Sequence, residues 1–130
     1  MPWGDESLRS TKAIDQLFRE GEVYHGKLAL LIVRRVVEGP RQVLFVASRR
    51  VGKAVRRNRA KRLLREAHRR HAGMLEENAV HLVWIARRSC AESGMWEVWQ
   101  EMADLLQRAG LMSQTQTHDR DPFDTRGAAD

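Results

Sequence analysis

Residues 55 to 71, VRRNRAKRLLREAHRRH, leave little freedom in how this chain can fold. Stepped at 100° per residue, Ala60, Leu63, Leu64, Ala67 and His71 fall within one arc of about 100°. That arc is the buried face of a helix stopped by Gly73. Asn58, Arg59, Lys61, Arg62, Arg65 and Arg69 lie opposite, with Glu66 the only acid among them. Arg57, Lys61, Arg65 and Arg69 are successive i, i+4 neighbours of like charge, and each such pair costs about 0.2–0.5 kcal/mol in an isolated helix. A solvated face normally interleaves acids with bases. Cations stacked this way look for compensation from an external polyanion, and phosphates along a nucleic acid supply it with release of counterions.

The charge is concentrated along the chain. Of 130 residues, 23 are Lys or Arg and 17 Asp or Glu, a formal +6. Residues 34–70 hold 14 of the cations and two acids, a net +12, and the other 93 residues carry −6. A basic segment set among acidic ones points to a directed polyanion site rather than general stickiness. The 42% apolar content provides for one core, not two, and excludes bulk disorder. The longest apolar run, Leu28 to Val33, is far short of the ~20 residues that span a bilayer. Residues 1–6 lack the basic and apolar regions of a secretion signal. Cys90 is the sole cysteine, which excludes an internal disulfide and a Cys-rich zinc site. The expectation is a cytoplasmic protein with no membrane partner.

Ser10 or Thr11 can cap a short helix with Ile14, Leu17 and Phe18 on one face and Gly21 as its stop. Leu28–Val33 reads as a mostly buried strand, Glu38-Gly39-Pro40 as a turn, and Gln42–Ser48 as a second strand, pairing with the first in an antiparallel hairpin. Val51-Gly52 precedes the basic helix. Ala79–Ile85 is another strand, and Ser93–Arg108 a last helix with Trp96, Trp99, Met102, Ala103 and Leu106 on one stripe. The order predicts an α+β fold, a small two-layer α/β sandwich with a four-stranded, mostly antiparallel sheet of split βαβ type. A single domain is expected over residues 7–112, with residues 1–6 and 113–130 disordered.

Charge does not say whether the anion is DNA, RNA or a small phosphate. The chain lacks a helix-turn-helix partner and zinc-finger spacing, which disfavours sequence-specific DNA binding, and Gly52 before Lys53 resembles neither a P-loop nor a dinucleotide fingerprint. His68 and His71 are three apart, but no carboxylate or thiol partner is evident for a metal, and none is expected. His25 and His81 have no recognisable partner for nucleophilic catalysis, and no catalytic residue is assigned. Trp84, Trp96 and Trp99 read as core, and Cys90 as an ordinary thiol.

The stretch Ala47-Ser48-Arg49-Arg50-Val51-Gly52-Lys53-Ala54-Val55-Arg56-Arg57-Asn58-Arg59-Ala60-Lys61-Arg62-Leu63-Leu64-Arg65-Glu66-Ala67 resembles the bacterial ribonuclease P protein subunit. Arg57-Asn58-Arg59 followed by Lys61-Arg62 and Arg65 is the most specific part. The likeness extends over roughly residues 8 to 110, through Phe18, Gly21 and Ile85-Ala86-Arg87. It implies a left-handed βαβ crossover and a protein that assists a catalytic RNA in cutting the 5′ leader from precursor tRNA. The partners implied are that RNA and precursor tRNA, not DNA. The chemistry and its Mg²⁺ ions belong to the RNA, and the protein itself binds no cofactor.

Carried over by position, Arg57, Asn58, Arg59, Lys61, Arg62 and Arg65 form an RNA-facing stripe, with Arg49, Arg50 and Lys53 in the adjoining loop. Asn58 is open to two readings, a helix cap or an amide that reads a base, a 2′-OH or a hydrated ion. Ile14, Phe18 and Ile32 fall at the family's cleft for the single-stranded leader. Phe18 is either a stacking ring or a core residue. Ile14 and Ile32 stand where the family often has aromatics, so leader binding would lean more on backbone contacts. Ala60 replaces a larger aliphatic. A ribosome-associated RNA-binding protein on a similar scaffold is the alternative, and a self-sufficient nuclease would need clustered carboxylates that the basic segment lacks.

Overall fold

In a computed structural model the structure describes residues 5–76 and 78–113. Strand β1 (Glu6–Ser7) leads to helix α1 (Thr11–Glu20), β2 (Glu22–His25), β3 (Ala29–Arg35) and β4 (Gln42–Val46). A 3₁₀ turn (Arg49–Val51) precedes α2 (Ala54–Ala72), then β5 (Val80–Ala86), a second 3₁₀ turn (Arg88–Glu92) and α3 (Met95–Arg108). No described helix is long and apolar enough to cross a membrane.

The strands form one sheet in the order β1-β4-β5-β3-β2. β3 pairs antiparallel with β2 and β5, whereas β4 pairs parallel with β1 and β5. Two expectations change here. The sheet has five strands rather than four, because the two-residue β1, too short to show a pattern, joins the β4 edge. The hairpin of β3 with β4 does not form, since β5 lies between them. VHLVWIA is apolar on both faces and takes the central position, with Val80, Leu82, Val83 and Trp84 fully buried. The chain leaves β4 through α2 and returns as β5, and a helical crossover of that length makes the pairing parallel.

Side-chain alternation divides the core into two. Leu31, Val33, Val43, Leu82 and Trp84 meet Leu64 and Ala67 of α2 and Trp99, Met102 and Leu106 of α3. The intervening residues Ile32 and Val83 face the other way and pack with Leu8 and Leu17. The sheet is therefore covered on both faces, with α1 adding a partial layer to the expected two. Ser10, not Thr11, caps α1, its Oγ accepting from the Ala13 N–H at 3.1 Å. Gly21 does follow the helix, but at φ −75° it needs no glycine conformation. Close approach explains it: a Cβ there would lie 2.5 Å from Ile32 Cγ2 and 2.6 Å from the Leu17 carbonyl oxygen.

The N-terminal boundary also moves. Asp5, expected in a disordered terminus, has a fully buried side chain that contacts Arg41 Nε at 2.6 Å and His68 Nε2 at 2.5 Å. Arg41 continues to the Ala72 carbonyl at the end of α2, at 2.9 Å. His68 Nδ1 accepts from the Trp84 indole at 3.1 Å, so Nε2 carries the proton and donates to Asp5. This carboxylate is the His68 partner that sequence spacing hid. Residues 1–4 and 114–130, covered by the expectation of disordered termini, lie outside the described residues.

Candidate nucleic-acid interface

The entry to α2 is set by backbone geometry. Ser48 Oγ accepts from the Arg50 N–H at 3.3 Å and caps the first 3₁₀ turn. Gly52 follows at φ +139° and ψ −158°, a region essentially confined to glycine, and a Cβ there would sit 2.7 Å from Arg56 Cδ. Arg49, Arg50 and Lys53 around this corner are exposed. None of the three side chains is engaged by a described residue. Lys53 begins α2 without a side-chain cap, and the first turn contains no acid to balance the cations.

α2 buries Ala60, Leu63, Leu64, Ala67 and His71, as their arc requires, together with His68 and Ala72. Its cations divide between two flanks. On the side of the second 3₁₀ turn, Arg56 Nε donates to the Val51 carbonyl at 2.8 Å, and its Nη2 reaches the Arg88 carbonyl and Glu92, both at 3.2 Å. Arg59 donates from Nε to the Ala91 carbonyl at 2.8 Å and from Nη2 to the Ser93 carbonyl at 3.2 Å. Arg59, expected in the outward stripe, is exposed and also ties α2 to the turn before α3. At the far end Glu66 engages Arg69 and Arg70. The hydrogen bond from Arg69, and then the charges of both arginines, lower the Glu66 pKa against the opposing effect of burial.

Between these engaged groups lie Arg57, Lys61, Arg62 and Arg65, with no ion pair or hydrogen bond from their side chains to any described residue. Arg65 places its guanidinium 5.6 Å from the centre of the Phe45 ring. Arg57 is half-buried, and its Nε has no hydrogen-bond partner. A shallow groove of about 530 Å³ runs along this surface, lined by Val55, Asn58, Lys61, Arg62 and Arg65. Asn58 lies in the second turn of α2, exposed and facing this groove, so the capping reading is excluded.

The three cleft candidates separate. Ile14 is half-buried against the Leu17–Ile32–Val83 cluster, and Ile32 is only 6% exposed beneath Gly21. Phe18, at 44% exposure, is the member whose side chain is open to solvent. The same side of the sheet continues through Leu30, register partner of Ile85, to a second groove of about 520 Å³. Leu30 and Ile85 give it an apolar floor, and Ser48, Arg50, Arg87 and Arg88 surround it. Arg87 is fixed through Nε to the Gly26 carbonyl at 2.8 Å. Sequence reasoning missed Leu30, Ile85 and Arg88, although counting back two residues from Ile32 would have placed Leu30 on this face.

The remaining titratable groups belong to the core. His71 Nε2 hydrogen-bonds the Trp99 carbonyl at 2.9 Å, and its ring stacks on Trp99. Burial pushes its pKa down to about 4. Burial likewise lowers His68, opposed by its bond to Asp5. The Cys90 thiol is pushed up to about 11 by burial, the form of an inert thiol. Trp84 and Trp99 are core, whereas Trp96 is half-buried at the margin, its ring stacked 5.1 Å from Trp99. Among the described residues no three His, Cys, Asp or Glu side chains are grouped to hold a metal ion.

Comparison with known proteins agrees with this geometry. The family model for ribonuclease P matches residues 4–110. The ribonuclease P protein component of Symbiobacterium thermophilum is 36% identical over 106 residues, covering 81% of this chain and 91% of that protein. That of Clostridium botulinum strain 657 is 29% identical over 107 residues, covering 82% and 96%. The RNase P protein from Thermotoga maritima superposes with a TM-score of 0.69 at 29% identity, over 79% of this chain and 96% of that one. The Staphylococcus aureus RNase P protein, at 18% identity, shares the fold with a TM-score of 0.72 over 82% and 97%. With a cation-rich helix, an open mixed sheet and a family match over most of its length, the chain belongs to the ribonuclease P protein family, the protein component of a ribonucleoprotein endoribonuclease.

Proposed function

We propose that α2 and the 3₁₀ turn before it dock on the catalytic RNA of ribonuclease P, while the α1 side of the sheet holds the 5′ leader of precursor tRNA. One observation carries the docking assignment. Arg57, Lys61, Arg62 and Arg65 are unpaired on a helix that engages Arg56, Arg59, Arg69 and Arg70 with protein groups. Like charges kept adjacent at a cost are explained by an external anion. Arg49, Arg50 and Lys53 extend the same surface around the Gly52 corner. For the leader, exposed Phe18 and the apolar floor of Leu30 and Ile85, edged by Arg50 and Arg88, suit unpaired bases with phosphates alongside.

In this reading the protein contributes binding and positioning, and Mg²⁺ serves the RNA, which performs the cleavage in the cytoplasm. Reconstitution tests it. Adding the protein to the RNA subunit from the same genome at low Mg²⁺ accelerates cleavage of precursor tRNA, and an unchanged rate overturns the assignment. Replacing Lys61 or Arg65 by Ala reduces the slope of log K against log salt by about one ion.

A further inference from the structure

We infer that Val55 is an apolar contact of the α2 surface and seats the base of an unpaired nucleotide, whose phosphates lie on Lys61, Arg62 and Arg65. The inference rests on the docking surface proposed above and specifies what it binds. Val55 is 81% exposed on the first turn of α2, yet lies in the same groove as Asn58, Lys61, Arg62 and Arg65. A single exposed valine is ordinary, and Val37 in the β3–β4 connection, which does not line this groove, is 99% exposed. Val55 differs in its surroundings. It is β-branched on a helix surface, where Ala would favour the helix more and no packing within the fold compensates. Asn58, one turn on, is also a weak helix former without a described side-chain partner. Two residues unfavourable to the helix therefore share a face with the unpaired cations.

A purely electrostatic phosphate contact has no use for a branched apolar side chain. Base faces and ribose carbons do, and an RNA duplex hides its base faces by stacking whereas unpaired nucleotides expose them. Asn58 adds a donor and an acceptor within reach of a base edge or 2′-OH. The groove volume of about 530 Å³ falls within the ~300–1,000 Å³ range of sites for small organic ligands.

The test uses the full chain and the RNA subunit of ribonuclease P transcribed from the same genome. Val55→Ala weakens binding by about tenfold, the effect of re-exposing roughly two methyl-sized groups, and leaves the salt slope unchanged. Lys61→Ala weakens binding with a smaller slope. Nucleotide-resolution footprinting shows an unpaired base protected by the parent protein and released by Val55→Ala. Affinity of Val55→Ala within twofold of the parent overturns the inference, as does a footprint confined to duplex. If Lys61→Ala, Arg62→Ala and Arg65→Ala also leave the slope unchanged, the docking surface itself is wrong. Thermal melts check that Val55→Ala, a change to a better helix former, retains the fold.

Discussion

Replacing Asp5 by Ala removes a carboxylate that holds two groups inside the protein. Arg41 keeps its bond to the Ala72 carbonyl at 2.9 Å and a long one to Asn78 Oδ1 at 3.5 Å, but loses the 2.6 Å charge partner. His68, fully buried, loses the acceptor for its Nε2 proton. Removing one partner of a buried pair costs about 3–5 kcal/mol, and the bonds that Arg41 retains place this case near 3 kcal/mol. For a domain of this size that lowers Tm by roughly 12–15 °C. Near-UV circular dichroism of the tryptophans follows the transition, since Trp84 is hydrogen-bonded to His68. Asp5→Asn retains an acceptor for His68 and falls between parent and Ala. A Tm change of less than about 3 °C for Asp5→Ala would refute the stabilising role of the buried network.

Three other outcomes are expected. The folded-state pKa of His71, about 4, lies below its unfolded value near 6.5, so the unfolded chain takes up the proton first. The contribution of His71 is complete above pH 6.5 and falls away as the pH drops through 4, by about 3 kcal/mol; His68 shifts in the same direction. Urea midpoints that do not change from pH 7 to pH 4 contradict this. Lys61→Ala removes two like-charge i, i+4 pairs and stabilises the free protein by about 0.4–1 kcal/mol while weakening RNA binding; added sulfate raises the Tm of the parent more than that of the variant. Phe18→Ala lowers affinity for single-stranded leader by ~1–3 kcal/mol at small cost to stability, and equal binding by both proteins removes the stacking role.

Local periodicity made the long elements legible. The arc of Ala60, Leu63, Leu64, Ala67 and His71 is the buried face of α2, and the stripe of Trp99, Met102, Ala103 and Leu106 that of α3. Periodicity is silent on which strands pair. A short connection made β3 and β4 look like neighbours, whereas β5, apolar on both faces, displaced that contact. The outward stripe was legible as charge but not as availability. Arg57 and Arg59 look equivalent in sequence, yet the acceptors of Arg59 are carbonyls on a turn more than thirty residues away. Asp5 carried no signal at all, because a lone acid near a terminus looks solvated until the fold brings Arg41 and His68 to it.

The central place of β5 also governs how the chain can be assembled. β3 and β4 each obtain their main partner only when residues 80–86 arrive. Until then both strands present apolar edges able to pair with another chain. A nascent protein that has emerged only as far as α2 has already displayed the whole cationic helix without the sheet that supports it. Completion of the sheet depends on contacts distant in sequence, which form slowly. Early encounter with RNA would then involve a helix whose orientation is not yet set, and the correct footprint becomes available only after the last central strand is in place.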